Sequence, residues 1–151
     1  MITAAVTASE ESEVWVRERI QQARPRPDGM SETEYVAQVD SLMATDKITV
    51  LVKDIGEMLS GKSVTVAAFR RAMTVESGWR SVGIFPKRDM GLRQVKKVTP
   101  TKVTFLTEDG KESHLDLARA KVFQRHDVFF VSWPGAINVL RYEPAALGGV
   151  A

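Results

Sequence analysis

Apolar residues in the first half of the chain recur at the spacing of an amphipathic helix. The strongest repeat covers residues 48–59, where they fall on one face with a period of about 3.6 residues. Its members are Ile48, Leu51, Val52, Ile55, Met58 and Leu59. We expect Thr45 or Asp46 to cap this helix and Gly61 to end it in the left-handed conformation, which glycine adopts easily.

Two further helices are predicted before this repeat. Residues 8–24 follow Thr7, which forms a capping box with Glu10, and they carry acidic residues early and basic residues late. Residues 32–44 follow a second capping box, formed by Ser31 and Glu34. The intervening Arg24–Gly29 stretch contains two prolines, which cannot continue a helix.

The second half changes to short β-rich runs separated by turn residues. A fourth helix, capped by Ser63, is expected to extend to about residue 75 before this change. The predicted strands are residues 79–85, 92–98, 102–107, 112–117, 120–124, 127–133 and 136–142. The fold is therefore expected to be α+β, with three to four helices followed by a small antiparallel β-sheet or partial barrel. We expect a helical region at 1–76, an antiparallel β region at 77–144 and a flexible tail at 145–151.

The hairpin around Gly110 allows a prediction of strand register. Pairing Phe105 with Leu115 and Val103 with Leu117 places all four apolar residues on one face. This register requires a three-residue loop, with Gly110 in the left-handed position of a bulged turn.

Composition limits the classes of protein that the chain can belong to. It has 151 residues, 44% of them hydrophobic, and no cysteine, which excludes disulfides and thiolate metal sites. No apolar run approaches the roughly 18 residues that a membrane span needs. Residues 1–6 lack the basic flank of a signal peptide. We therefore expect a cytoplasmic protein without a membrane partner.

Charge is distributed unevenly along the chain. The overall net charge is +2, but residues 1–76 carry −3 and residues 77–151 carry +5. Segment 78–104 contains seven basic residues and a single acidic residue, Asp89. The basic residues are Arg80, Lys87, Arg88, Arg93, Lys96, Lys97 and Lys102. This segment predicts contact with nucleic acid or with an acidic protein.

Two interpretations of the basic segment remain open at this stage. With Trp79, Phe85 and Phe105 nearby in sequence, it can form a cationic sheet face with aromatic rings for stacking. Alternatively, its lysines only protect an edge strand. In a regular strand Lys96 and Lys97 face opposite ways, so we expect unequal contributions from them.

Residues Gly56–Ser63 match the phosphate-binding pattern G-x-x-x-x-G-K-[ST], in which Gly56, Gly61, Lys62 and Ser63 would contact a nucleotide. The helical repeat argues against a loop here. No downstream strand ends in an aspartate suited to hold Mg²⁺, and no strands alternate with helices. We predict a helix end followed by a turn, with nucleotide binding as the alternative. Helices three and four could also form a weak helix-turn-helix.

Catalytic and metal-binding patterns have little support. His114 and His126 cannot make a three-histidine site, and Glu108, Asp109 and Glu112 cluster at a turn, where carboxylates are usually solvated. We expect no enzyme activity, no metal and no cofactor. The favoured hypothesis is a non-catalytic binding protein whose basic β half contacts nucleic acid or an acidic protein surface. The alternatives are a homo-oligomeric assembly subunit and a nucleotide-binding protein.

Overall fold

The computed structural model describes residues 8–147 and contains four helices and eight strands within that range. The helices are α1 (Ala8–Ala23), α2 (Glu32–Met43), α3 (Asp46–Leu59) and α4 (Val66–Ala72). The strands are β1 (Lys62–Val64), β2 (Gly78–Ile84), β3 (Lys87–Thr99), β4 (Lys102–Thr107), β5 (Glu112–Asp116), β6 (Lys121–Arg125), β7 (Val128–Ser132) and β8 (Val139–Pro144). The α+β class is confirmed.

Helices α2 and α3 agree with the sequence prediction. The Ser31 hydroxyl accepts a hydrogen bond from the Glu34 N–H at 3.1 Å, so Ser31 caps α2 as expected. The predicted stripe of α3 is its buried face, with Leu51 and Ile55 fully buried. The predicted cap of α1, Thr7, lies outside the described residues.

The start of α4 differs from the prediction. Its cap is Thr65, whose side chain accepts from the Ala68 N–H at 3.0 Å, and Ser63 belongs to strand β1 instead. Residues Lys62–Val64 pair antiparallel with β6, and this pairing satisfies their backbone in place of a helix. Because β1 separates α3 from α4, the two helices do not form a helix-turn-helix.

All eight strands join one antiparallel sheet in the order β1-β6-β7-β8-β2-β3-β4-β5. The sheet is not closed, since β1 and β5 have no further strand partner within residues 8–147. It is nevertheless curled. Val103 and Leu115 from one end share a core with Val122 and Val131 from the other, and the Trp133 indole N–H donates to the Asp116 carbonyl at 3.2 Å.

The two faces of the sheet build two separate cores. Along β7, Phe129 points to the inner face, where it meets Phe69 of α4 at a ring distance of 5.3 Å. Its neighbour Phe130 points to the outer face and packs with α1 and α3. This alternation is the period-two pattern of a strand buried on both sides. Helix α4 therefore fills the inside of the curl, while α1 and α3 cover part of the outside.

The β4–β5 hairpin has the predicted loop but different pairs. The Thr107 N–H donates to the Lys111 carbonyl at 2.8 Å, which leaves a three-residue loop, and Gly110 has the expected positive φ of 80°. Val103 lies opposite Leu115, and Phe105 lies opposite Ser113, so the predicted pairs are wrong by two residues. A shift of two keeps every side chain on its face, which is why the apolar residues are still buried together.

Because Tyr142 is buried, we expect the protein to lose stability at high pH. Tyr142 is 4% exposed in the inner core, and burial raises its pKa from 10.0 to about 12, against the opposing effects of Ser81 and Arg93. The pKa of Tyr142 is higher in the folded protein than in the unfolded chain, so the folded state keeps this proton to a higher pH. The stability that the neutral tyrosine provides is therefore fully present below pH 10 and is lost as the pH rises through about 12. We expect a loss of roughly 2 to 3 kcal/mol across that range.

Denaturant unfolding at a series of alkaline pH values measures this loss, and Tyr142→Phe is the matched variant without the titrating group. Tyr35 is the only other tyrosine, so a Tyr35→Phe background lets absorbance follow Tyr142 alone. Titration of Tyr142 near its ordinary pKa would contradict the prediction.

Candidate functional site

The Gly56–Ser63 segment does not form a loop around a phosphate position. Residues 56–59 are the last turn of α3, and the Ser60 N–H donates to the Gly56 carbonyl at 3.0 Å. The Gly61 N–H donates to the Met58 carbonyl at 3.1 Å. The prediction of a helix end is confirmed. These N–H groups serve the helix, whereas a phosphate loop directs such groups at its ligand.

Packing accounts for the residues of this helical turn. A Cβ on Gly56 would lie 3.6 Å from the Ser12 hydroxyl, which places Gly56 against α1. Glu57 accepts a hydrogen bond from the Arg141 guanidinium at 3.2 Å and so connects α3 to β8. Met58 is fully buried in the outer core.

Gly61 is required for a different reason than expected. It is not among the glycines with positive φ, so the predicted left-handed stop is wrong. A Cβ on Gly61 would instead lie 2.5 Å from the Gln124 carbonyl oxygen of β6, which is a clash with backbone. Lys62 and Ser63 follow in β1, where both are exposed. Close approach of two strands therefore explains the glycine.

The titratable groups at the β4–β5 turn have structural partners. The Glu108 carboxylate accepts from the Leu92 N–H at 3.0 Å, and a hydrogen bond from Thr107 lowers the pKa of Asp109. His114 Nδ1 lies 3.1 Å from the Thr104 hydroxyl. His126 occupies the β6–β7 turn with a positive φ of 55°. In the part of the chain that the structure describes, no group of three or more His, Asp or Glu side chains is placed to hold a metal ion.

The seven predicted basic residues do not form one patch. Lys87 and Lys97 are ten positions apart on β3, so at about 3.3 Å per residue they are separated by roughly 30 Å. Arg88 lies opposite Gly83 near the start of β3. Lys97 lies near the end of β3, where Lys102 of β4 pairs with Thr99. The number of basic residues in segment 78–104 therefore overstates how closely their charges are grouped in the structure.

Several of these basic residues are neutralised by carboxylates of the same chain. Arg80 pairs with Asp89 at 2.9 Å, and Lys87 lies 3.3 Å from the carboxylate of Asp54 on α3. Arg93 is half-buried and donates to the Leu92 carbonyl at 3.3 Å.

A β-bulge brings the last three lysines onto one face. Val95 lies opposite Phe105 and Lys97 opposite Thr104, so Lys96 is an extra residue in β3. Thr104 points away from the inner core, and its cross-strand partner Lys97 shares that side. The expectation that Lys96 and Lys97 face opposite ways is wrong, because Lys96 also reaches this side, where it bonds to Glu112.

We name the outer surface of β3, β4 and β5 the lysine face. It contains Lys96, Lys97, Lys102, Thr104, Glu112, His114 and Asp116, which the registers place on the same side. The hydrogen bond from Lys96 lowers the pKa of Glu112. Lys97 and Lys102 are exposed, and their ammonium groups form no ion pair or hydrogen bond within residues 8–147.

The helices leave the lysine face uncovered. The sheet residues that pack against α1 and α3 come from β2, β6, β7 and β8, and none of those in the outer core belongs to β3, β4 or β5 within the described chain. Lys97 and Lys102 therefore project from an accessible surface.

The aromatic side chains are on the wrong side of the sheet for stacking on a ligand there. Trp79 is 5% exposed and Phe105 is 2% exposed, and both belong to the inner core. Phe85 packs against the outer core away from β4 and β5. The predicted combination of cations with a stacking platform is wrong, since strand alternation separates the two kinds of side chain.

Sequence reasoning missed Thr104, His114 and Asp116 as neighbours of the lysines. The correct hairpin register places His114 opposite Thr104 and Asp116 opposite Lys102. Only the register carries this information, because it decides which residues of neighbouring strands lie side by side.

Comparison of the chain with protein-family models, with curated proteins and with solved structures finds no match. Among the described residues, no helix is both long and apolar enough to cross a membrane. The chain is therefore defined by its fold class, α+β with an open, curled antiparallel sheet, and by its uncovered lysine face.

Proposed function

We propose that this chain is a non-catalytic binding protein whose lysine face contacts an acidic surface of a partner protein. The observation that carries the proposal is the bulge at Lys96, which collects Lys96, Lys97 and Lys102 on the side of the sheet that the helices leave uncovered. Two of these ammonium groups, those of Lys97 and Lys102, have no intramolecular partner in residues 8–147.

Mixed charge on this face favours a protein over nucleic acid as the partner. Glu112 and Asp116 lie among the lysines, and a protein surface can place basic or neutral side chains opposite them, whereas a phosphate backbone is negative along its whole length. Proteins that bind single-stranded nucleic acid also rely on exposed aromatic rings, whereas Trp79 and Phe105 are buried in the inner core. Complementary charges of both signs are typical of specific protein interfaces.

Charge reversal on the lysine face tests the proposal. We expect Lys97→Glu combined with Lys102→Glu to weaken binding to poly-L-glutamate about tenfold, which corresponds to about 1.4 kcal/mol. Binding is measured by fluorescence titration over a series of salt concentrations, and the wild-type affinity should fall as salt rises.

The matched control is Lys53→Glu combined with Lys62→Glu. Both lysines are exposed on α3 and β1 and have no ion pair in the described structure, so the net charge changes equally at a different place. Equal weakening by the two double variants would refute a specific face. If an oligothymidylate binds more tightly than poly-L-glutamate and depends on Lys97 and Lys102, the partner is nucleic acid instead.

A further inference from the structure

A second surface, distinct from the lysine face, is an apolar groove between the helices and the β2–β3 hairpin. Its central cavity of about 250 Å³ lies among the ends of α1 and α2, the start of α3, Phe85 and Ile137. Two neighbouring cavities extend it. Leu42 also lines a cavity along α2, and Phe85 also lines a cavity at Val50 and Pro86. We name this surface the apolar groove; its apolar lining includes Ile20, Leu42, Ile48, Val50, Phe85 and Ile137.

The apolar groove is partly exposed, since Leu42, Phe85 and Ile137 are half-buried, whereas Ile20 and Ile48 are each only 6% exposed. Val50 is 45% exposed and lies outside the buried stripe of α3, in which Leu51 and Ile55 are fully buried. Exposed apolar area bordered by polar residues is typical of a site that binds another molecule.

The charges around the apolar groove are mainly positive. Arg24, Lys47 and Lys87 line it, against the single carboxylate, Asp46, that the described residues contribute to the lining. Lys87 is paired with Asp54, while the Arg24 guanidinium and the Lys47 ammonium have no partner among the described residues. An occupant with carboxylates beside its apolar side chains would pair these two cations.

The start of α3 also favours negative charge, and Asp46 in its first turn already supplies one carboxylate. Thr45 occupies the N-cap position, but its hydroxyl donates to the Leu42 carbonyl at 2.7 Å and makes no cap bond to α3. Unpaired N–H groups at a helix start favour a nearby carboxylate.

The backbone of the occupant is constrained by the sheet around the apolar groove. Strand β2 is paired on both sides, with β3 and β8, so it offers no free edge to an extended peptide. A helix satisfies its own backbone hydrogen bonds and needs only side-chain contacts. We propose that the apolar groove binds an amphipathic acidic helix of a partner protein, with its apolar residues at the i, i+3, i+4 and i+7 spacing.

A synthetic peptide provides the test. The probe is a fluorophore-labelled helix with leucine at those spacings and glutamate elsewhere, and its binding to the full chain is followed by anisotropy. We expect Val50→Glu and Lys47→Glu each to weaken binding about tenfold, because one places a charge on the apolar surface and the other reverses a rim charge. Val14→Glu is the matched control, since Val14 is 54% exposed on α1 and does not line the groove; its affinity should change less than about twofold.

Three further results would overturn the proposal. These are binding of a scrambled peptide of the same composition as tightly as the probe, equal binding of a peptide with lysine in place of glutamate, and no measurable binding of the probe. Self-association of the chain that Val50→Glu abolishes would assign the groove to a second copy instead. Lys97→Glu with Lys102→Glu should leave probe binding unchanged, so failure of this proposal is distinguishable from failure of the proposed function.

Discussion

Replacing Phe105 by alanine is expected to lower the free energy of unfolding by about 3 to 5 kcal/mol. Phe105 is 2% exposed, and its ring stacks on Tyr142 with centroids 5.5 Å apart. It lies in the inner core, which α4 fills from inside the curled sheet. Because β-strands on both sides hold the backbone, the cavity can collapse only partly. Urea unfolding followed by tryptophan fluorescence measures the change.

Thr104→Ala is the matched control for Phe105→Ala. Thr104 is the adjacent residue on β4 but points to the outer face, and within residues 8–147 its hydroxyl bonds only to His114, at 3.1 Å. Its removal should cost about 1 kcal/mol or less. If Phe105→Ala costs no more than Thr104→Ala, the inner face of β4 is not a packed core.

The two glycines of the phosphate-loop match should respond in opposite directions to alanine. Gly61→Ala is expected to cost about 1 to 3 kcal/mol, since its Cβ would meet the Gln124 carbonyl at 2.5 Å and push β1 away from β6. Gly56→Ala should stabilise the protein by about 0.5 to 1 kcal/mol, because Gly56 lies within α3 and its new Cβ has room against Ser12. Thermal and denaturant unfolding of the two variants gives the comparison.

The same variants separate the packing explanation from nucleotide binding. We expect ATP or GTP with Mg²⁺ to leave the melting temperature of the wild type, Gly56→Ala and Lys62→Ala proteins unchanged. Millimolar nucleotide bound with micromolar affinity would stabilise the native state by roughly 4 kcal/mol. A shift of that size that Gly56→Ala and Lys62→Ala both remove would show that the segment binds phosphate.

Local pattern was enough to predict most elements of the fold. The repeat from Ile48 to Leu59 predicted α3, and each of the seven predicted strands corresponds to an observed one. The main exception is β1, whose residues Lys62–Val64 carry no strand pattern of their own. They become a strand because β6 offers them partners, which is a tertiary effect.

The binding surfaces were much less predictable than the elements. Segment 78–104 is basic as a sequence, but its cations are spread along β2 to β4, and two of them pair with carboxylates outside the segment, Asp54 of α3 and Glu112 of β5. The apolar groove had no sequence signal either, since its lining comes from three helices, a hairpin and the loop before β8. Val50 lies outside the apolar repeat of α3, and only the structure shows that it borders the apolar groove.

The sequence by itself determined the α+β class, the helical spacing of Gly56 to Leu59 and the separation of apolar from polar faces on β4. These depend on the periods of 3.6 and 2 residues, which are local properties of the chain. The tertiary structure alone decided that Phe105 lies opposite Ser113, that a bulge at Lys96 places Lys96 and Lys97 on one side, and that Gly61 meets the backbone of β6. Register, bulges and close backbone approaches depend on which strands meet, and residues far apart in sequence set that choice.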